Sequence, residues 1–209
     1  MWLAFYNPKA TGDTLLLTAG TIGDDFAVAE TTGPVTVIRD RRNDAVKGVN
    51  IFDQQETLGL EGQGQIFLQD EQVSKINQLI QDQGFDVEIT VDNSPKLVVG
   101  YVEECDDHED SDHLSVTQTR VSEDEVLQIV CGASNIDQDQ KVIVAKPGAV
   151  MPDGMIIWPG ELRGVTSNGM ICSTDELNLA DLSDEDGIWV LNDDHTVGEP
   201  LEEVVKVYQ

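Results

Sequence analysis

Between residues 97 and 172 the chain runs in five short, β-branched apolar stretches, at 97–104, 114–121, 126–131, 141–146 and 166–172. Each is separated from the next by glycine, proline or acidic turns. Short strands with glycine-rich corners, packed this densely, suit a small antiparallel barrel. Gly187-Ile188-Trp189-Val190-Leu191 supplies one more strand. Pro200 then opens a last helix, because Leu201, Val204, Val205 and Tyr208 recur at helical spacing.

The first half reads differently. Asn7-Pro8, Gly12-Asp13, Gly20, Gly23-Asp24 and Gly33-Pro34 punctuate Thr14-Leu15-Leu16-Leu17, Phe26-Ala27-Val28 and Val35-Thr36-Val37-Ile38, a meander-like pattern. A helix is expected from a cap at Asp70 to about Gln83, with Val73, Ile76, Leu79 and Ile80 on one face and Gly84 as the left-handed stop. Phe85, Val87, Ile89 and Val91 alternate with Asp86, Glu88 and Thr90, the pattern of a half-buried strand. Asn93-Ser94-Pro95 forms a turn, since proline forces its predecessor out of helical geometry. The expected organisation is therefore an α+β domain over 1–93, then an all-β barrel domain with a short C-terminal helix over 94–209.

Charge bounds the function. The chain carries 40 acidic and 12 basic side chains, a formal net charge of -28, and the barrel half holds 25 of the acids against six of the bases. Such a surface repels a polyanion at long range, so any nucleic-acid contact must come from a local basic patch or from stacking. No apolar run reaches membrane-spanning length, and the opening residues lack a basic leader, so a cytoplasmic protein without membrane contact is expected. Cys105, Cys131 and Cys172 form no C-x-x-C pair; Cys131 and Cys172 lie in predicted strands and read as core thiols. G-x-S-x-G, H-E-x-x-H, P-loop and Rossmann signatures are all absent, so neither an enzyme nor a cofactor is expected. The loop at 106–113 holds five carboxylates and two imidazoles but does not fit an EF-hand register, so a solvated acidic turn is expected in place of a metal site.

Three segments carry a resemblance. Leu127-Gln128-Ile129-Val130-Cys131-Gly132-Ala133-Ser134-Asn135-Ile136, Leu162-Arg163-Gly164-Val165-Thr166-Ser167-Asn168-Gly169-Met170-Ile171-Cys172-Ser173 and Asp175-Glu176-Leu177-Asn178-Leu179 are similar, in order, to motifs of the tRNA-binding domain near the start of the phenylalanyl-tRNA synthetase beta subunit. The extension containing Ala4-Phe5-Tyr6-Asn7 and Gly12-Asp13-Thr14-Leu15-Leu16-Leu17 resembles that of the bacterial YtpR family. The resemblance implies an oligonucleotide/oligosaccharide-binding (OB) barrel, no reaction, and tRNA or another structured RNA as partner. A homodimer is compatible with it, because free-standing relatives in the wider family dimerise.

Candidate contacts follow from chemistry and from that resemblance. Lys141, Lys146 and Arg163 are candidates for phosphate contacts, with ordinary solubilising charge as the alternative. Ser167 and Asn168 offer hydrogen bonds, Met170 a polarizable platform for a base and Gly169 room for close approach; a β-bulge over a core methionine is the alternative. Asn135 stands at a tight strand exit, as an RNA contact or as a plain turn residue. Two places depart from the family pattern. Glu109 and His113 replace its usual proline and lysine, and Pro159-Gly160-Glu161 stands where lysines commonly precede the LRG segment. Each departure subtracts positive charge or adds negative charge, so weak affinity is expected. The competing reading is a protein-interaction module that has kept the barrel and lost RNA affinity; a metalloenzyme using the His/Asp loop is a third.

Overall fold

The computed structural model describes residues 1–182 and 186–208 and divides into two compact units, Met1–Ser94 and Pro95–Gln209. In the first, strands β1 (Leu3–Tyr6), β2 (Thr14–Thr18), β3 (Ala27–Thr32), β4 (Val35–Asp40), β5 (Ala45–Phe52) and β6 (Gly64–Ile66) form an antiparallel sheet ordered β3-β4-β5-β2-β1-β6. Single helical turns α1 (Pro8–Thr11) and α2 (Gln55–Leu58) join them, and the longer α3 (Asp70–Asp82) follows. Two cross-strand rows make the core: Val35, Ile51, Leu15 and Tyr6 face one another across four strands, as do Val37, Val49, Leu17 and Ala4. Ile76 and Ile80 of α3 close over the same buried cluster. Burial of such rows is the main favourable term in holding the unit together.

The sequence expectations are met unevenly here. Gly84 does stop α3 at φ +83. Asp70, expected as the cap, is the first helical residue; Gln69 precedes the helix, and its N–H donates to Gln72 Oε1 at 2.9 Å. Residues 85–91 keep the expected alternation, with Phe85, Val87 and Ile89 buried, but they do not join a ladder beyond one bridge from Val91 to Trp2. The side chain of Asn77 takes the ladder's place, accepting from the Ile89 N–H and donating to its carbonyl at 2.7 and 3.0 Å.

At the end of β4 a buried Asp40 accepts from Arg42 Nε at 2.9 Å, from its Nη2 at 2.5 Å and from its backbone N–H at 3.0 Å, fixing the turn into β5. The Arg42 guanidinium also lies 4.1 Å from the centroid of the Phe26 ring. These bonds hold the Asp40 carboxyl down at about 2. A carboxylate depressed on folding stabilises above its unfolded value and loses that contribution as pH falls through the folded one. Between about pH 4 and pH 2, wild-type unfolding temperature should therefore fall more steeply than that of Asp40→Asn. Parallel slopes in a thermal melt series would contradict the assignment.

The second unit comprises β7 (Leu97–Asp107), β8 (Ser115–Arg120), β9 (Val126–Cys131), β10 (Lys141–Ala145), β11 (Gly160–Leu162), β12 (Val165–Ser167), β13 (Met170–Ile171), β14 (Val190–Leu191) and helix α4 (Leu201–Tyr208). The sheet runs β13-β10-β7-β8-β9, with β14 also on β10. Its free edges approach: Asn168 N donates to the Gln128 carbonyl at 2.8 Å, bringing the β12–β13 corner onto β9. The product is a partly open antiparallel barrel of the OB type with a short C-terminal helix, the architecture the strand rhythm implied.

β7 and β10 are buried on both faces. Val98, Val102, Val142 and Val144 join one cluster with Ile129 and Ile171, while Val99, Ile143 and Ala145 join another with Trp189, Leu191 and Val204 of α4. Gly100 sits at the tightest point, where an added Cβ would lie 2.5 Å from Val144 Cγ2 and 2.8 Å from Thr119 Cγ2. The strand expected at 166–172 is broken in two at Asn168-Gly169. Gly169 adopts φ +153, and a Cβ there would meet the Ala145 carbonyl at 2.9 Å. The close approach that Gly169 permits is thus to the chain's own backbone, the bulge alternative.

Candidate nucleic-acid interface

OB barrels present the face of their second and third strands, flanked by the loop after the first strand and the loop before the last. Here those strands are β8 and β9. On their outer face Gln118 lies opposite Gln128, its Nε2 donating to Gln128 Oε1 at 3.2 Å, and Gln128 in turn donates to the Thr166 carbonyl at 2.8 Å. This part of the surface is amide-rich and neutral.

The two flanking loops hold each other. β11 and β12 form a hairpin whose two connecting residues, Arg163 and Gly164, both have positive φ, +46 and +83, as a two-residue primed turn requires. Arg163 Nη1 reaches across to the carbonyl of Asp110 at 2.8 Å. In the return direction, His108 Nε2 lies 3.3 Å from the Leu162 carbonyl, and His108 Nδ1 accepts from Asp110 N–H at 3.0 Å. The ring is buried with both nitrogens engaged, so it serves as a latch between loops. Sequence reasoning placed His108 in an acidic turn, with a metal site as the alternative; no motif marks a latch whose partner lies 54 residues away. No group of three His, Cys, Asp or Glu side chains is arranged to hold a metal ion among the described residues.

Arg163 stands out. Among the described residues the other non-glycine positions with positive φ are Asp44, Asp53, Asp139 and Asn178, types that tolerate this region because their short side chains bond locally. A long arginine held there is strained, and its side chain is exposed at the hairpin tip.

Most of the remaining candidates make hydrogen bonds or ion pairs within the fold. Asn135 Nδ2 donates to the Ile188 carbonyl and its Oδ1 accepts from the Ile188 N–H, each at 3.0 Å. Ser167 is buried; its Oγ accepts from Val130 N at 3.1 Å and donates to the Gly169 carbonyl at 3.2 Å. Lys141 Nζ donates to the carbonyls of Asp193 and His195 at 2.6 and 2.7 Å. Lys146 Nζ pairs with Glu125 at 2.5 Å. Met170 is half-buried against the core and lines a groove of about 500 Å³ together with Val130, Asp175, Glu176 and Asp186. Asn168 is fixed by its backbone bond to Gln128 and leaves its side chain half-exposed beside the two glutamines.

Lys141, Lys146 and Arg163 therefore have partners in three different places. Arg120 and Lys206 are likewise paired, with Glu103 and Glu203, each at 2.6 Å. Burial pushes the Cys105 and Cys131 thiols up, and Cys172, with no exposed surface, up to about 12, which disfavours the thiolate at each.

Comparison with known proteins follows the division into two units. Residues 97–200 match the family model described as "Putative tRNA binding domain", and residues 24–92 match "Domain of unknown function (DUF4479)". The chain is 44% identical over 199 residues to "Putative tRNA-binding protein YtpR" of Bacillus subtilis (strain 168), covering 95% of this chain and 98% of that protein. It is 51% identical over 115 residues to the phenylalanine--tRNA ligase beta subunit of Oceanobacillus iheyensis, which covers 53% of this chain and only 14% of the subunit. The solved C-terminal domain of Plasmodium vivax p43 is 26% identical, covers 52% of this chain and 61% of that one, and superposes with a TM-score of 0.35. No described helix is long and apolar enough to cross a membrane.

Proposed function

Because the chain belongs to the family of YtpR-like proteins with a tRNA-binding domain, we propose that it is a non-catalytic cytoplasmic RNA-binding protein that holds tRNA weakly through its C-terminal barrel. The observation that carries this reading is Arg163, a strained, exposed guanidinium at the tip of a hairpin latched to the neighbouring loop. A guanidinium grips a phosphate bidentately and needs no desolvated pocket to do so. Beside it, Gln118, Gln128 and Asn168 present amide groups suited to 2′-hydroxyls and base edges without adding charge. Binding of this kind reads shape and backbone more than sequence.

Gel retardation of the full chain with unfractionated tRNA, at about 50 mM salt where phosphate-driven binding is strongest, tests the reading. A retarded complex, competed by tRNA better than by an unstructured RNA, is the expected result. Absence of any retardation would sink it.

The dispersal of the other cations favours a second use of the same unit, contact with a protein partner. Arg120, Lys141, Lys146 and Lys206 are tied down within the fold, in a half of the chain that carries 25 acidic side chains.

A further inference from the structure

The connection between β10 and β11 makes a tight reversal over residues 151–155: Met151 N donates to the Met155 carbonyl and Gly154 N to the Met151 carbonyl, both at 2.8 Å. Met155 is left 46% exposed at this reversal, while Met151 beneath is 3% exposed. The two methionines line a groove of about 380 Å³ with Pro152, Asn178 and the carboxylates of Asp153, Asp175 and Glu176. No lysine or arginine lines it among the described residues. Across the Asp175–Glu176 ridge lies the second groove, where Met170 contributes an apolar patch and Asp186 another carboxylate, again without a cation.

We propose that this methionine-floored, carboxylate-rimmed groove is a docking site for a cationic amphipathic peptide segment of a partner protein. It rests on the protein-directed use of the unit and not on RNA contact by Arg163. Methionine side chains adapt to varied apolar anchors, which suits a groove of this irregular shape. The rim supplies the charge complement: Asp153 Oδ1 is fixed by the Met155 N–H at 2.8 Å, and Glu176 Oε2 by the Ser173 N–H and Oγ at 2.7 and 3.0 Å, so both carboxylates are held in place before a ligand arrives. A polyanion is repelled by the same rim; an apolar anchor flanked by lysine or arginine satisfies floor and rim together.

The test uses the full chain and fluorescence anisotropy with a labelled leucine–lysine peptide patterned as an amphipathic helix, beside a glycine–lysine peptide of equal charge. Asp153→Asn keeps the acceptor for Met155 N–H and removes only the charge, so the fold is retained. The Asp153→Asn/Asp175→Asn pair should weaken the leucine–lysine complex about tenfold. Met155→Ser should weaken it about threefold, by loss of apolar contact. Glu56→Gln/Glu61→Gln, at exposed acids of the first unit, should leave affinity unchanged. Equal binding of the two peptides, or an equal loss in the Glu56/Glu61 control, would overturn the proposal. Failure here with tRNA still bound would leave the RNA reading intact.

Discussion

Asn135→Ala is expected to destabilise the C-terminal unit by about 3 kcal/mol, a large fraction of what a domain of this size has to lose. The side chain is a two-pronged clamp on Ile188, whose N–H and carbonyl it satisfies together. Ile188 is 3% exposed and belongs to the barrel's buried cluster, so truncation leaves a donor and an acceptor stranded in an apolar setting. The fit is tight: a Cβ at Gly187, which has φ +102, would lie 2.2 Å from Asn135 Oδ1. Asn135→Asp keeps the acceptor and loses the donor, and should fall between wild type and alanine. Denaturant unfolding followed by tryptophan fluorescence of a Trp2→Phe background, which leaves Trp158 and Trp189 of this unit, measures this. An alanine variant of unchanged stability but weakened tRNA binding would return Asn135 to the interface.

Arg163 should respond with opposite signs in two assays. Arg163→Gly relieves a left-handed backbone that costs an arginine about 1 kcal/mol, so the unit should become slightly more stable. The exposed bond to the Asp110 carbonyl offsets little of that gain. Its affinity for tRNA should drop about tenfold, and that of Arg163→Glu further, since charge reversal adds repulsion to the lost contact. Thermal melts and retardation on the same preparations give both numbers. A variant that loses stability and keeps affinity would identify Arg163 as a turn residue and nothing more.

The contrast between these two residues shows what the sequence made legible. Strand rhythm located β9 at its observed bounds, β10 to within a residue, and the final helix, because alternation and glycine corners are local properties. It missed β5, where Lys47, Gly48 and Asn50 interrupt the apolar pattern, and it read 166–172 as one strand because the bulge at Gly169 depends on the Ala145 carbonyl in another part of the chain. The candidate site suffered more. Asn135, Ser167 and Lys141 are residue types that bind RNA well, and their types were the only evidence available. Their hydrogen-bond partners lie 53, 37 and 52–54 residues away, so only the closed barrel shows that the fold has already engaged them. Arg163 also has a distant partner, the Asp110 carbonyl 53 residues away, but the two-residue turn keeps its side chain exposed.

The charge of -28 then acquires a definite consequence. A polyanion binder whose cations are mostly paired internally should release few counterions when it binds. The salt dependence of tRNA affinity for the full chain, titrated between about 50 and 200 mM, is the most direct test, since each neutralised phosphate contributes a slope near −0.9 in log K against log salt. A shallow slope of about −1 to −2, reduced further in Arg163→Gly, is the predicted result. A slope steeper than about −5, unaffected by that substitution, would contradict the account by requiring a basic surface elsewhere.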